Sequence, residues 1–227
     1  MKLSLSATKL LLLFAVVLVC AGAALYFSSE LNRALFLSIN AIFPCRWVWT
    51  AITTPGDGAV AGCLFYVLFR KHKDLLLKGL VGALVGTIAS QGLKTLFAVA
   101  RPEYTPDIHG QFHFLAESMA ATNYSMPSGH TLTGFLLGIF IFCSVKLNLF
   151  GKFALVAAMV AIGISRIALG VHWPADVLVG AGLGIVIGLA SYWLPVRVQS
   201  KWGLLAVHLL YFTFVAALFH QYFPEHF

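Results

Sequence analysis

Long apolar runs, broken by short loops that carry most of the charge, leave this chain few ways to fold. Residues 10–27, 75–98, 128–145, 152–169 and 174–194 each supply roughly the 17–25 residues a helix needs to cross a bilayer core. Backbone in hydrocarbon must satisfy its own hydrogen bonds, so such runs read as helices. Composition agrees: 60% of the 227 residues are hydrophobic and 10% charged, with a mean hydropathy of +0.90. Those values suit an integral membrane protein and are abnormal for a soluble domain. The expected fold is all-α: a polytopic membrane helix bundle of six core transmembrane helices, formed by residues 1–227 as a single domain.

Along the chain, Lys2 and Lys9 precede the first run, which has no clear mature start after it and reads as a retained helix rather than a signal peptide. Residues 30–42 have helical apolar spacing with a few polar positions, consistent with a short interfacial helix. Trp47 and Trp49 fit the aromatic belt at the membrane–water boundary. A turn at Pro55-Gly56-Asp57-Gly58 leads into a second span at 59–69. The third span, 75–98, carries Gly79, Gly82 and Gly86, small residues that let helices approach in lipid. The long polar stretch 101–127 precedes the fourth, fifth and sixth spans at 128–145, 152–169 and 174–194. Residues 202–219 are apolar enough for a seventh, or for a helix lying on the surface. Cys20, Cys63 and Cys143 sit in apolar runs and Cys45 in a loop, with no CxxC pair, so they read as packing residues rather than a disulfide or zinc site.

Basic residues orient the bundle. With the N-terminus inside, ten of the fifteen Lys and Arg fall on the cytoplasmic side: Lys2, Lys9, Arg70, Lys71, Lys73, Lys78, Lys146, Lys152, Arg197 and Lys201. Their scatter over short loops argues against a nucleic-acid partner despite the formal charge of +7. The loop 101–127 and the start of the sixth span then share the outer face.

Three clusters meet there. In SRIALGVHWPAD (165–176), the spacing of His172 and Asp176 is one helical turn, so the carboxylate can orient the imidazole. In KTLFAVARP (94–102), Lys94 and Arg101 are two helical turns apart and share a face, roughly 20° from alignment. Pro102 ends that span. In PSGH (127–130), Ser128 suits an N-cap and Gly129 admits a close ligand. Pro174 suits the first turn of the sixth helix, so two helix N-termini point at one place, as an anion site requires. Lys94, Arg101 and Arg166 would neutralise a phosphoryl dianion. His172 is placed to attack phosphorus with Asp176 behind it, and His130 to protonate the leaving oxygen and activate water. The loop acids Glu103, Asp107 and Glu117 are not paired, so no metal and no cofactor is expected.

Lys94-x6-Arg101-Pro102, Pro127-Ser128-Gly129-His130 and Ser165-Arg166-x5-His172-x3-Asp176 resemble the three signature motifs of the type 2 phosphatidic acid phosphatase (PAP2) superfamily. All eleven specified residues are present and in order across 94–176. The resemblance implies a six-helix membrane phosphatase, independent of metal and acting through a phosphohistidine on His172. It implies phosphate binding by Lys94, Arg101, Ser128, Gly129 and Arg166, with His130 as general acid. The expected partners are a lipid phosphate substrate and membrane lipids, at the outer face of a bacterial inner membrane. Undecaprenyl diphosphate is the first substrate expected, with phosphatidylglycerophosphate, phosphatidic acid, lipid A or phosphotransfer to another lipid as alternatives.

Other features have plainer readings. His109, His113 and Glu117 recur every four residues, a metal spacing that suits a solvated loop helix better. Tyr104, Phe112, Phe114 and Tyr124 either gate a lipid tail or anchor the loop. His208 and His220 read as structural. Gly180, Gly182, Gly184 and Gly188 read as helix packing, since no strand precedes them. A transporter would spread its cations through the depth of the bundle, whereas here they gather at one face. A vanadate-binding oxidoreductase would use a similar pocket, but those relatives are soluble.

Overall fold

The computed structural model describes residues 4–116 and 124–220, of which most are helical. Among the described residues nine α-helices follow in order: α1 (Leu5–Phe27), α2 (Ser29–Asn40), α3 (Arg46–Thr53), α4 (Gly58–Phe69), α5 (Lys73–Phe97), α6 (Gly129–Ser144), α7 (Leu149–Ala168), α8 (Pro174–Trp193) and α9 (Lys201–His220). Helices α1, α5, α7, α8 and α9 are long and apolar enough to cross a membrane. The chain is a polytopic helical bundle, and the 202–219 segment forms a single continuous helix.

Glycine spacing on α8 decides who its neighbours are. A Cβ at Gly180 would stand 2.6 Å from the Ser128 carbonyl, and one at Gly184 2.5 Å from that of Leu132, so α6 lies backbone to backbone against this face. Gly182, on the opposite side, gives the same close approach to the Ala15 carbonyl of α1 at 2.8 Å. Small residues favour such contacts in lipid, where burying an apolar side chain gains little over leaving it in the hydrocarbon. Helix α8 is therefore central, with α1, α5, α6 and α7 around it. Below the site, Phe65, Phe69, Leu76, Leu80 and Phe140 form one buried cluster.

Three expectations need correction. The second span expected at 59–69 is a helix of 12 residues, too short to cross a membrane alone. Helix α4 is preceded by α3 and a 3-10 turn at Thr54–Gly56, and the two arms bend by 57°. Asp57 causes the restart, its Oδ1 accepting from the Ala59 and Val60 amides as an N-cap. Second, α5 ends at Phe97, beside the expected end of the third span at 98, but Pro102 is not what stops it. Ala98 takes a left-handed conformation, with φ 48°, and its amide bonds back to the Lys94 carbonyl. Such a left-handed residue is a common way to stop a helix. Third, α2 is more than an interfacial helix. Asn32, Phe36 and Asn40, one turn apart, are all buried, and α2 packs on α7 and α8.

Candidate active site

The turn between α7 and α8 sets the histidine. Gly170 turns the chain with φ 81°, in a place where a Cβ would meet the His113 carbonyl at 2.8 Å. Only glycine takes that conformation at no steric cost. His172 then lies just before α8, whose first residue is Pro174. The expected one-turn helical pairing is thus a cap instead. Asp176, in the first turn, accepts from the Trp173 amide at 2.8 Å with Oδ2, and the same oxygen lies 3.2 Å from His172 Nδ1. Asp176 is fully buried and His172 nearly so.

The tautomer follows from donor counting. Arg101 Nη1 lies 3.4 Å from His172 Nε2. A guanidinium can only donate. Nε2 therefore accepts, the ring proton sits on Nδ1, and it is directed at Asp176. That leaves the Nε2 lone pair as the nucleophilic edge. Burial holds the His172 imidazole well below its ordinary value, and the charges of Arg101, Arg166 and Lys94, with His130, push the same way. The ring is neutral at physiological pH.

The cations arrive from three elements. Lys94 is on the last turn of α5, and Arg101 follows in extended backbone, not on the helix face assumed from spacing. Arg101 also donates to the Val171 carbonyl at 2.9 Å, which fixes it against the histidine turn. Burial lowers its affinity for a proton while Glu103, foremost among the neighbours, raises it. Arg166, on the last turn of α7, donates to Thr53 Oγ1 of α3 at 3.1 Å. Arg101, Asp176 and Arg166 are all near enough to act on the charge of Lys94.

Helix α6 supplies the other wall. Ser128 is its N-cap, its Oγ accepting from Thr131 Oγ1 at 2.9 Å, while its amide donates to the Asp176 carbonyl at 3.0 Å. A Cβ on Gly129 would touch only Ser90 Oγ, at 3.6 Å, so nothing in the packing demands the glycine. His130 is partly exposed, with Nε2 3.9 Å from Asp57 Oδ2. Lys94, Gly129 and His130 line a cavity of about 260 Å3, whereas Arg101, Ser128, His172 and Asp176 are buried.

Several contributors were not read from the sequence. Asn40 Nδ2 donates to the carbonyls of Ala168 (3.0 Å), His113 (2.9 Å) and Ile167 (3.3 Å), and its Oδ1 accepts from the His113 amide at 2.7 Å. Asn32 Oδ1 accepts from the Ala175 amide at 3.1 Å, in the first turn of α8. Glu103, taken as a loop acid, is buried and acts on both Arg101 and Arg166. Asp57 alone had a usable signal, an Asp just ahead of an apolar run. Phe112 packs edge-on to Phe36, beside Trp173, so it anchors the loop. Of the suggested metal trio, Glu117 lies outside the described residues, as does the His220 side chain.

A helical membrane bundle that brings three cations near a carboxylate-backed histidine has the arrangement that phosphoryl chemistry on an anion would call for. A family model described as the PAP2 superfamily matches residues 75–200. The chain belongs to the PAP2 superfamily. It is 24% identical to a lipid A 4'-phosphatase from Porphyromonas gingivalis, over 76% of each chain. It is 30% identical to a lipid A 1-phosphatase from Rhizobium etli, over 67% of this chain and 80% of that one. Among solved structures, LpxE of Aquifex aeolicus superposes with a TM-score of 0.59 at 33% identity, covering 71% of this chain and 94% of that one.

Proposed function

We propose that this PAP2-type lipid phosphatase removes a phosphoryl group from a membrane lipid through a phosphohistidine at His172. One observation carries the reading: His172 Nε2 faces Arg101 while Nδ1 is held by Asp176. In the first step Nε2 attacks phosphorus and the bond to the leaving oxygen breaks, His130 supplying its proton. Lys94, Arg101 and Arg166 offset the charge that builds on the phosphoryl oxygens, and Asp176 stabilises the imidazolium character of the phosphorylated ring. In the second step water attacks the phosphohistidine, giving its proton to His130, and inorganic phosphate leaves.

The proposed substrate is undecaprenyl diphosphate, which would leave undecaprenyl phosphate as product. A second reading rests on the relatives, whose names are lipid A 1- and 4'-phosphatase and, for a Bacillus subtilis protein 33% identical over 56% of this chain, phosphatidylglycerophosphatase B. The bias of Lys and Arg supports a site on the outer face of the cytoplasmic membrane. The test is phosphate release from these lipids by protein in detergent with EDTA present. The reading expects turnover with chelator and none in His172→Ala; loss with EDTA, or full activity in the variant, refutes it. Hydrolysis of an impermeant substrate only by inside-out vesicles would refute the orientation.

A further inference from the structure

The break between α3 and α4 brings a carboxylate to His130. At the 3-10 turn the chain is wedged between α6 and α7. A Cβ on Gly56 would stand 2.7 Å from the His130 carbonyl and 2.7 Å from Ile162 Cγ2. Asp57 comes next. Its Oδ1 accepts from the Ala59 and Val60 amides at 2.9 and 3.1 Å, which fixes the carboxylate, and its Oδ2 faces His130, 3.9 Å from Nε2. Capping α4 accounts for Oδ1 alone. Four residues earlier, Thr53 Oγ1 accepts from Arg166. One segment, ahead of the 75–200 region shared with the family, thus reaches two residues of the candidate site.

A general acid must hold its proton until the leaving oxygen takes it. The groups that act on His130 make this hard. Lys94 comes from the end of α5, Arg101 from the loop after it and Arg166 from α7, with His172 from the turn before α8. Like charges resist a further positive charge. Two nearby acids are engaged elsewhere: Asp176 of α8 with Trp173 and His172, and Glu103 with the two arginines. Asp57 has the opposite sign and is well shielded from water, its side chain 13% exposed. At 3.9 Å the pair is beyond direct hydrogen-bond distance, so the carboxylate acts through its charge. Both residues line the same cavity as Lys94.

We propose that Asp57 is a positioning residue for His130, its negative charge holding on the ring the proton that the leaving oxygen receives in the first step. The break between α3 and α4 is what places it there. The inference rests on His130 as the general acid of the lipid phosphatase reading, and it adds a residue from outside the three motifs.

Asp57→Asn separates the charge from the cap, since asparagine caps a helix about as well as aspartate. Asp57→Ser, another uncharged cap, should behave the same way. Hexadecyl phosphate leaves an alkoxide that needs the proton, whereas p-nitrophenyl phosphate leaves a phenolate that does not. With either variant, kcat/KM for the alkyl ester should fall about tenfold or more, and at least about threefold further than for the aryl ester. His130→Ala should show the same split. Nitrogen-15 spectra of histidine-labelled protein need no turnover. The His130 titration, assigned by its loss in His130→Ala, should move about half a pH unit or more downward in Asp57→Asn. No fall, an equal fall on both esters, or a smaller movement of the titration overturns the proposal. A split in His130→Ala without one in the Asp57 variants overturns it and leaves the general acid standing. If the parent releases phosphate from neither ester while the titration moves, the phosphatase reading fails and the pairing of Asp57 with His130 stands.

Discussion

Removing the Asn40 side chain tests whether the turn that carries His172 is held in place from a distant helix. The amide joins α2 to two segments: the end of α7, through the Ile167 and Ala168 carbonyls, and the loop at His113. Asn40 is 1% exposed, so water does not replace what is lost. Three of its four bonds are 3.0 Å or shorter. At about 1 kcal/mol net for each, Asn40→Ala should cost ~3 kcal/mol. For a chain of this length that is roughly 6–12 °C in the unfolding midpoint. Asn40→Asp is the sharper variant. A carboxylate can still accept from the His113 amide but has no proton for the carbonyls, and it buries a charge among their oxygens. At pH 8 it should therefore be less stable than Asn40→Ala, although it is closer in shape. Thermal unfolding in one detergent, with phosphate release measured beside it, checks both. Two results refute the reasoning: an Asn40→Ala midpoint within about 2 °C of the parent, or Asn40→Asp proving the more stable of the pair.

Asp176→Asn keeps an oxygen for the Trp173 amide but loses the charge behind His172, so kcat should fall about a hundredfold or more, ~2.7 kcal/mol, with little change in stability. Asp176→Ala should match that loss and add ~1 kcal/mol of instability for the missing cap, read by unfolding. Nitrogen-15 spectra of histidine-labelled protein should show His172 still neutral as pH falls through 6.5. An unfolded chain would take up that proton near 6.5 and the native one only well below, so native stability should decline as pH drops beneath 6.5. Arg101→Gln should move the His172 titration upward, and an unmoved titration would contradict the placement of the guanidinium. Arg101→Lys, which keeps a charge but not the planar fork that reaches both Val171 and His172, should lower kcat/KM about tenfold or more on a lipid phosphate.

The cap residues show why local features were legible. Ser128 and Pro174 act within a few residues of their own position, and both helix starts fall where the sequence puts them. The pairings inferred from helical periodicity fared differently. His172 and Asp176 do meet, and Lys94 and Arg101 do lie near each other, but neither pair shares a helix. Residue spacing alone does not tell a helical turn from a cap, because both bring positions three or four apart into contact.

By itself the sequence determined the class of fold, since apolar runs of membrane-crossing length must become helices, and it named the charged groups, since charge at that depth is too costly to be idle. Only the tertiary structure decided which distant polar atoms surround the candidate site: Asn32 and Asn40 from α2, Thr53 from α3, and Glu103 beside the arginines. It also decided that α9 lies against α4 and walls an apolar cavity. Such contacts include hydrogen bonds between residues 149 positions apart, as Gly62 and Tyr211 are. They depend on how helices cross, and no run of neighbouring residues encodes that.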